Sequence, residues 1–360
     1  MGDVALQVAV RCRPFSDRKS KLGVICENCG DQQVVLTRPF NARSAVAFNH
    51  CWWTGYGHIE HLDDDDEHAN LCKELPLIDQ QAIYDKVGTS MVEHLLDGQA
   101  VVMFAYGLSG AGKTYTVFGP DDHRRPDAWF KSSVPQPQWG LFPRIAYQML
   151  NLASKQNGWV VRVKYFQNVV HDVIDLFSEK NPPEKHSYKD MHKDKHGFTD
   201  ISWIKAKVIT TWSSLLKLLQ EANTKKHIAP TQFNPSSTRG HCILFYEVDM
   251  PKKMRNGSTL IKTARMYVCD LAGAEPAAAV HYARYTTETG ADGNIYYRYQ
   301  GPHDDRKKTA ELVEQGTKIN QSLSEMSHFF LQMSKMLRHH EKNGTKPDPH
   351  LHRIAGCNSF

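Results

Sequence analysis

The sequence predicts an α/β fold built on a phosphate-binding unit, and three stretches of its 360 residues predict it. Apolar residues from Ala100 to Tyr106 read as a buried strand that stops at a glycine-rich loop, Gly107-Leu-Ser-Gly-Ala-Gly-Lys113-Thr114, with a helix opening at Lys113. A second strand, Met266 to Cys269, ends on Asp270-Leu-Ala-Gly273. Near the C-terminal end, Ile319, Leu323, Met326, Phe330, Met333 and Leu337 fall at steps of three and four, one apolar stripe along a long helix.

With 41% hydrophobic and 23% charged residues, the chain is ordinary globular material, enough for one large α/β domain or two modest ones. The net charge of +5 is spread over short clusters, which suits an acidic partner surface better than nucleic acid. Its eight cysteines are scattered in a chain too large to need staples, so reduced thiols in the cytosol are expected. Cys26 and Cys29 form a C-x-x-C pair, which without a second pair or matching histidines reads as incidental rather than as a zinc site. The start, Met1 to Leu6, carries no charged region followed by an apolar stretch, and Leu6 stands where myristoylation prefers Ser or Thr. The most apolar run, Val101 to Tyr106, is far shorter than the ~20 residues that span a bilayer, so no membrane partner is expected.

Taken in order, Leu6 to Val10 alternates like a strand and meets Arg11-Cys12-Arg13-Pro14, where proline ends the ladder. Weaker strands are expected at Val34 to Leu36 and Val46 to Phe48, and the acidic run Asp63 to Glu67 reads as a solvated loop. Ile83, Val87, Met91 and Leu95 recur every four positions, so a helix is expected from Gln80 to Leu96, ending near Gly98. Gly119-Pro120 should close the helix that opens at Lys113. Val160 to Phe166 reads as a strand, Val169 to Phe177 as another or a helical turn, and residues 178–197 as a polar loop. A short strand at Trp203 to Val208 and a helix at Thr211 to Asn223 follow, then strands at Cys242 to Val248 and Leu260 to Val268, with Pro251 to Ser258 as the turn between them. Residues 276–308 show no sustained period and read as a long surface insertion, after which the last helix begins near Thr309.

The loop pattern G-x-x-x-x-G-K-[S/T] works because its glycines let successive N–H groups turn inward around phosphate oxygens at the positive end of a helix. Lys113 adds a point charge for the β and γ phosphates, and Thr114 a hydroxyl for Mg²⁺. With 23 glycines in the chain, a chance match is roughly a one-in-a-hundred event. Hydrolysis further needs a carboxylate near the metal, a group that positions water and a sensor of the γ phosphate. Asp270 at a strand end fits the first role, and the Gly273 amide the last. Asn234-Pro-Ser-Ser237-Thr238-Arg239-Gly-His241 supplies the hydroxyls of Ser237 and Thr238 and an arginine just before another strand. Thr345-Lys-Pro-Asp348 is faintly like a guanine-specificity motif, but it follows a helix rather than a strand and reads as a plain loop.

Together these segments resemble the kinesin motor domain superfamily, which carries G-Q-T-x-x-G-K-T, N-x-x-S-S-R-S-H and D-L-A-G-S-E where this chain has GLSGAGKT, NPSSTRGH and DLAGAE. Arg11-Cys-Arg13-Pro14 is similar to the family's adenine-contacting R-x-R-P, and Ile319-Asn-Gln-Ser-Leu323 to the I-N-K-S-L that opens its tubulin-facing helix. The match runs from Val8 to about Ser359. The resemblance implies a P-loop NTPase fold with a mixed central β-sheet flanked by helices on both faces, residues 1–360 forming a single motor domain. It implies Mg²⁺ and ATP/ADP as cofactors, and ATP hydrolysis coupled to microtubule (tubulin) binding. The expected location is the cytoplasm and cytoskeleton, with axonemal or other microtubule-associated partners and the flagellar axoneme as further candidates. The alternative is a non-motile structural protein of a microtubule or axonemal assembly with little or no ATPase activity.

Carried over by position, Arg11, Arg13 and Pro14 border the adenine and Tyr115 stacks on it, while Gly107, Leu108, Ser109, Gly110, Ala111, Gly112, Lys113 and Thr114 wrap the phosphates. Thr114, Thr238 and Asp270 arrange Mg²⁺, the latter two through water, and Ser237 and Thr238 order the attacking water. Gly273 meets the γ phosphate, and Arg239 pairs with Glu275 as a latch. Departures are several. Leu108 replaces Gln, Gly240 and Ala274 replace Ser, and Tyr165-Phe-Gln-Asn-Val-Val-His-Asp172 stands where the family has Y-L-E-I-Y-N-E-x. An acidic insertion at about 58–70 and an enlarged second-switch loop at 276–308, with its Arg306-Lys307-Lys308, are expected at the surface. Pro349 to Arg353 and Gly356 to Ser359 look like a shortened P-Y-R-x-S-K-L-T-R through G-G-N-S, so the family's last core strand, final helix and neck linker are expected to be absent.

Overall fold

The computed structural model describes residues 6–12, 26–30, 33–37, 43–53, 78–121, 128–187, 190–192, 200–229, 231, 238–291 and 295–344. The chain divides into two compact units, Met1–Val87 and Gly88–Phe360.

In the first unit, strand β1 (Ala9–Cys12) runs parallel to β5 (His50–Trp53), while β2 (Cys26–Gly30), β3 (Gln33–Thr37) and β4 (Arg43–Ala47) form an antiparallel sheet. The expected strand at Leu6 to Val10 begins later, at Ala9. Leu6 and Val8 are exposed, and Asn49 takes the place of a ladder partner, its side chain accepting from the Val8 N–H at 2.8 Å. The expected helix from Gln80 is interrupted. A single turn, α1 (Gln80–Ile83), is capped by Asp79 and gives way to a π turn over Tyr84–Gly88. The C-x-x-C pair lies on β2, and the acidic run at 58–70 falls outside the described residues.

The second unit is organised by a seven-stranded mixed sheet of β6 (Ala100–Ala105), β7 (Val160–Val169), β8 (Asp172–Asp175), β9 (Lys185–Ser187), β10 (Lys207–Ile209), β11 (His241–Lys253) and β12 (Thr259–Asp270). Its order is β6-β12-β11-β7-β8-β9, with β10 also on β7. The β6–β12 pair is parallel and the other ladders are antiparallel. Alternation along β11 and β12 divides the two faces. Leu244, Tyr246 and Val248 pair with Val268, Met266 and Ala264, all fully buried, while Ile243 and Phe245 pair with Cys269 and Tyr267 on the opposite side.

Helices cover both faces. On the first lies α4 (Leu141–Ala153), whose Ala146 carbonyl accepts from the Tyr246 hydroxyl at 3.2 Å. Phe142 of α4 packs edge-on against Tyr246 and Phe118, and the buried Trp129, Trp139 and Trp212 extend this aromatic core. Helices α2 (Thr89–Leu96), α3 (Lys113–Val117) and α5 (Trp212–Lys225) complete this unit's shorter helices. Thr211 caps α5 in a capping box with Ser214, and Leu215, Leu216 and Leu219 are buried as their spacing predicts. On the opposite face α6 (Arg306–Asn343) sets Ile319, Leu323 and Met326 against Cys269, Leu271 and Ala272.

Three expectations change. Residues 276–308 are not an irregular insertion: β13 (Ala283–Thr289) and β14 (Ile295–Pro302) make an antiparallel hairpin, with Tyr285 opposite Tyr299. The aromatic and β-branched residues of this segment favour a pleated ladder, a signal that the search for a helical or buried-strand period missed. The basic run Arg306-Lys307-Lys308 is the first turn of α6, which starts three residues earlier than expected because Asp305 accepts from the Lys308 N–H at 2.9 Å. The polar loop 178–197 contributes the short strand β9.

The divergent segment Tyr165 to Asp172 keeps a two-residue hairpin between β7 and β8. Gln167 is fully buried, and its amide both accepts from the His227 N–H at 2.7 Å and donates to the His227 carbonyl at 3.2 Å. A carboxylate could only accept. Gly240 is required by this turn, because a Cβ there would collide with the Asn168 carbonyl oxygen. Val170 occupies the left-handed region at φ 55°, a conformation costly for a β-branched residue. Asparagine, which stands here in the family pattern, tolerates it. Val170→Asn should therefore stabilise the protein by about 1 kcal/mol, read as a rise in the urea midpoint with unchanged slope.

Candidate functional site

The parallel pairing of β6 and β12 brings two chain segments together at one end of the sheet. Asp270 lies beside Ala105 in register. Past the strand ends, the Leu271 N–H donates to the Ala105 carbonyl at 3.3 Å and the Ala274 N–H to the Gly107 carbonyl at 3.2 Å. The loop between β6 and α3 turns through Gly107, Gly110 and Gly112, with φ of 147°, 76° and 97°, values that side-chain-bearing residues rarely adopt.

Lys113 folds back over this loop, donating to the carbonyls of Gly107 and Leu108 at 3.0 Å each. Burial pushes its pKa down, against the opposing charges of Asp270 and Glu275. Thr114 donates its hydroxyl to Asp270 Oδ2 at 2.6 Å. The second oxygen, Asp270 Oδ1, is buried without a hydrogen-bond partner. An orphaned carboxylate oxygen beside a threonine hydroxyl is the donor set a hard divalent cation takes. Burial raises the Asp270 pKa, while the Thr114 hydrogen bond and the Lys226 and Lys113 charges pull it down.

Glu275 is the second buried carboxylate. It accepts from the Ser109 N–H at 3.0 Å and from the Ser109 hydroxyl at 2.8 Å. Arg239 Nη1 stands 3.6 Å from Glu275 Oε1, and both side chains are almost wholly buried. Gly273 lies beneath these groups, where a Cβ would collide with Glu275 Oε2 and Ser109 Oγ.

Three contacts run from these segments to α6. Arg239 Nη2 donates to the Leu312 carbonyl at 3.0 Å, Asn320 Nδ2 to the Glu275 carbonyl at 3.0 Å, and His241 Nε2 meets Ser322 Oγ at 2.8 Å. His241 Nδ1 accepts from the Ala272 N–H at 3.2 Å. The ring is therefore neutral with its proton on Nε2, which donates to Ser322, and Ser322 in turn donates to the Ile319 carbonyl at 2.7 Å. Burial, then the nearby Lys113 charge, pushes the His241 pKa down to about 4.

Behind the loop, Lys226 and Asp121 form a buried pair at 2.7 Å that also takes hydrogen bonds from Trp129 and Asn223. Burial works against the Lys226 ammonium, yet Asp121, Tyr165 and Cys242 together hold its pKa well above the ordinary value.

Of the residues singled out by sequence, the structure brings together Ser109, Lys113, Thr114, Arg239, Asp270, Gly273 and Glu275. Leu108 and Tyr115 are exposed beside them, and Thr238 forms a bridge with Ile228. Arg11 lies in the first unit, donating to Gln80 Oε1 at 2.8 Å. Arg13, Pro14 and Ser237 fall outside the described residues. Sequence reasoning missed the bonds of His241, Asn320 and Ser322, although all three stand inside motifs it quoted, and it missed the Ser109–Glu275 contact altogether.

A mixed sheet with a glycine-rich strand-to-helix loop, flanked by helices on both faces, is the P-loop NTPase fold. The kinesin motor domain family model matches residues 65–292, and the chain belongs to that family. It is 26% identical over 280 residues to kinesin-like protein KIN-5C of Nicotiana tabacum, covering 76% of this chain and 26% of that protein. It is 24% identical over 341 residues to kinesin-like protein KIF13B of Homo sapiens, covering 90% and 15% of the two chains. Kinesin-like protein KIF1A of Rattus norvegicus is 24% identical over 356 residues, covering 96% and 18%. The chain thus spans about a quarter or less of these relatives' length.

The His241 contact makes a pH prediction. Between pH 6.5 and about 4 the unfolded ring binds a proton that the folded ring does not, so stability falls as pH falls through this window. Urea titrations at several pH values should show this slope reduced in His241→Gln, by up to about 1.4 kcal/mol per pH unit.

Proposed function

We propose that this chain binds Mg·ATP through residues 107–114 and hydrolyses it as a microtubule-binding kinesin-type motor domain. The observation that carries this reading is the junction of Lys113, Thr114 and Asp270, with its unpartnered buried Oδ1, at the end of the β6–β12 pair.

In this reading the loop N–H groups and Lys113 hold the phosphates, Thr114 and Asp270 would hold the metal, Asp270 through water, and Tyr115 stacks on the adenine. Bound Mg²⁺ supplies charge neutralisation between the phosphates. Thr238 joins Asp270 in the metal's water shell, and Ser237 with Thr238 orders the attacking water. Gly273 offers its amide to the terminal phosphate, and Arg239 and Glu275 close over the site. The contacts from Arg239, Glu275 and His241 to α6 support a coupling in which rearrangement at the phosphates shifts that helix. An acidic tubulin surface is the proposed partner of the microtubule face, with the basic first turn of α6 beside the hairpin as a contact, and microtubules of the cytoplasm as the location. Among the described residues no helix is long and apolar enough to cross a membrane.

Lys113→Ala tests the reading. It removes charge-assisted contacts of about 1.5–3 kcal/mol each, so ATP affinity should fall roughly a hundredfold and microtubule-stimulated phosphate release should cease. A wild-type chain that binds microtubules without stimulated turnover, indifferent to Lys113→Ala, would instead be a non-motile structural protein. Competition with GTP in the same assay reports base preference.

A further inference from the structure

An anion already sits on the phosphate loop, and it is the protein's own. Glu275 holds both the main-chain N–H and the hydroxyl of Ser109. Its ion pair with Arg239 is correspondingly poor: 3.6 Å is beyond hydrogen-bond length. Arg239 spends Nη2 on the Leu312 carbonyl, and its Nε is buried without a partner. A buried guanidinium with an unused donor, close to a carboxylate committed elsewhere, describes two alternative pairings for one acid. Glu275 bonds Ser109 in the first and would satisfy Arg239 in the second. Glu275 Oε1, the atom nearest Arg239, is also the acceptor of the Ser109 hydroxyl, and it sits 2.8 Å from that hydroxyl but 3.6 Å from the guanidinium, so the carboxylate is held on the loop side.

The contact stands over Gly273, where a Cβ would collide with both partners. Gly273 is the residue assigned above to the terminal phosphate, so Glu275 occupies the loop donors at that end of the cradle. The geometry points to Ser109 and Glu275 as the pair that sets the preference between nucleoside diphosphate and triphosphate: the carboxylate competes with a third phosphate for the Ser109 N–H. This rests on the nucleotide reading above. A diphosphate leaves the Ser109–Glu275 bonds in place. A triphosphate binds only when Ser109 releases Glu275, which then moves onto Arg239. The loop therefore discriminates by charge repulsion and by competition for a donor, before any chemistry occurs.

Calorimetric titration of the 360-residue chain with Mg·ADP and with a non-hydrolysable Mg·ATP analogue tests this at equilibrium. Ser109→Ala keeps the loop N–H and removes only the hydroxyl bond to Glu275. It should tighten the triphosphate analogue relative to ADP by roughly tenfold, the worth of one charge-assisted hydrogen bond. Ser109→Thr keeps the hydroxyl and should leave the ratio at the wild-type value. An unchanged ratio in Ser109→Ala, or an equal loss for both nucleotides, overturns the inference while leaving nucleotide binding standing. Failure of the wild-type chain to bind either nucleotide removes both.

Discussion

Glu275 is a buried acid that three parts of the molecule share. Its carboxylate accepts from the phosphate loop at Ser109, lies near the Arg239 guanidinium, and its main-chain carbonyl accepts from Asn320 on α6. A charge removed from water is tolerated only when hydrogen bonds and an opposite charge compensate it, so none of these partners is free to drift alone. The loop, the segment before β11 and the long helix are held in one arrangement by the demands of one side chain. The Ser109 and Arg239 contacts fall on the same carboxylate oxygen, at 2.8 and 3.6 Å.

The sheet makes this sharing feasible. In a parallel β6–β12 pair both strands reach the same edge, so Ala105 and Asp270 emerge side by side and the loops after them are forced into contact. Antiparallel pairing would send the second carboxylate segment to the opposite end. Helix α6 lies across the face formed by Ile243 and Cys269, burying its stripe of Ile319, Leu323 and Met326 there. Once docked, Asn320 and Ser322, one and three residues past Ile319, are close enough to reach the switch segments.

The divergent positions are locally consistent. Gln167 replaces an acid and gains a reciprocal pair with the His227 main chain, and Gly240 replaces Ser where the Asn168 carbonyl leaves no room for a Cβ. Val170 is the position where strain remains. The hairpin β13–β14 is likewise tied to its surroundings, since the Tyr285 hydroxyl donates to the Thr231 carbonyl at 2.6 Å.

Local spacing was enough to determine the phosphate loop, the strand ending on Asp270, the capped helix at Trp212 and the stripe of α6, because each depends on residues adjacent in sequence or on one period. The family followed from the order of the motifs. The start of β1, the π turn after Ile83 and the hairpin at 283–302 did not follow, since they depend on partners such as Asn49 or on cross-strand tyrosines that carry no sequence period. Sequence named Arg239 and Glu275 as a pair. Only the tertiary structure decided that Glu275 bonds Ser109 as well and that His241 links Ala272 to Ser322, because competition for a buried donor is settled by distance in space and not by position along the chain.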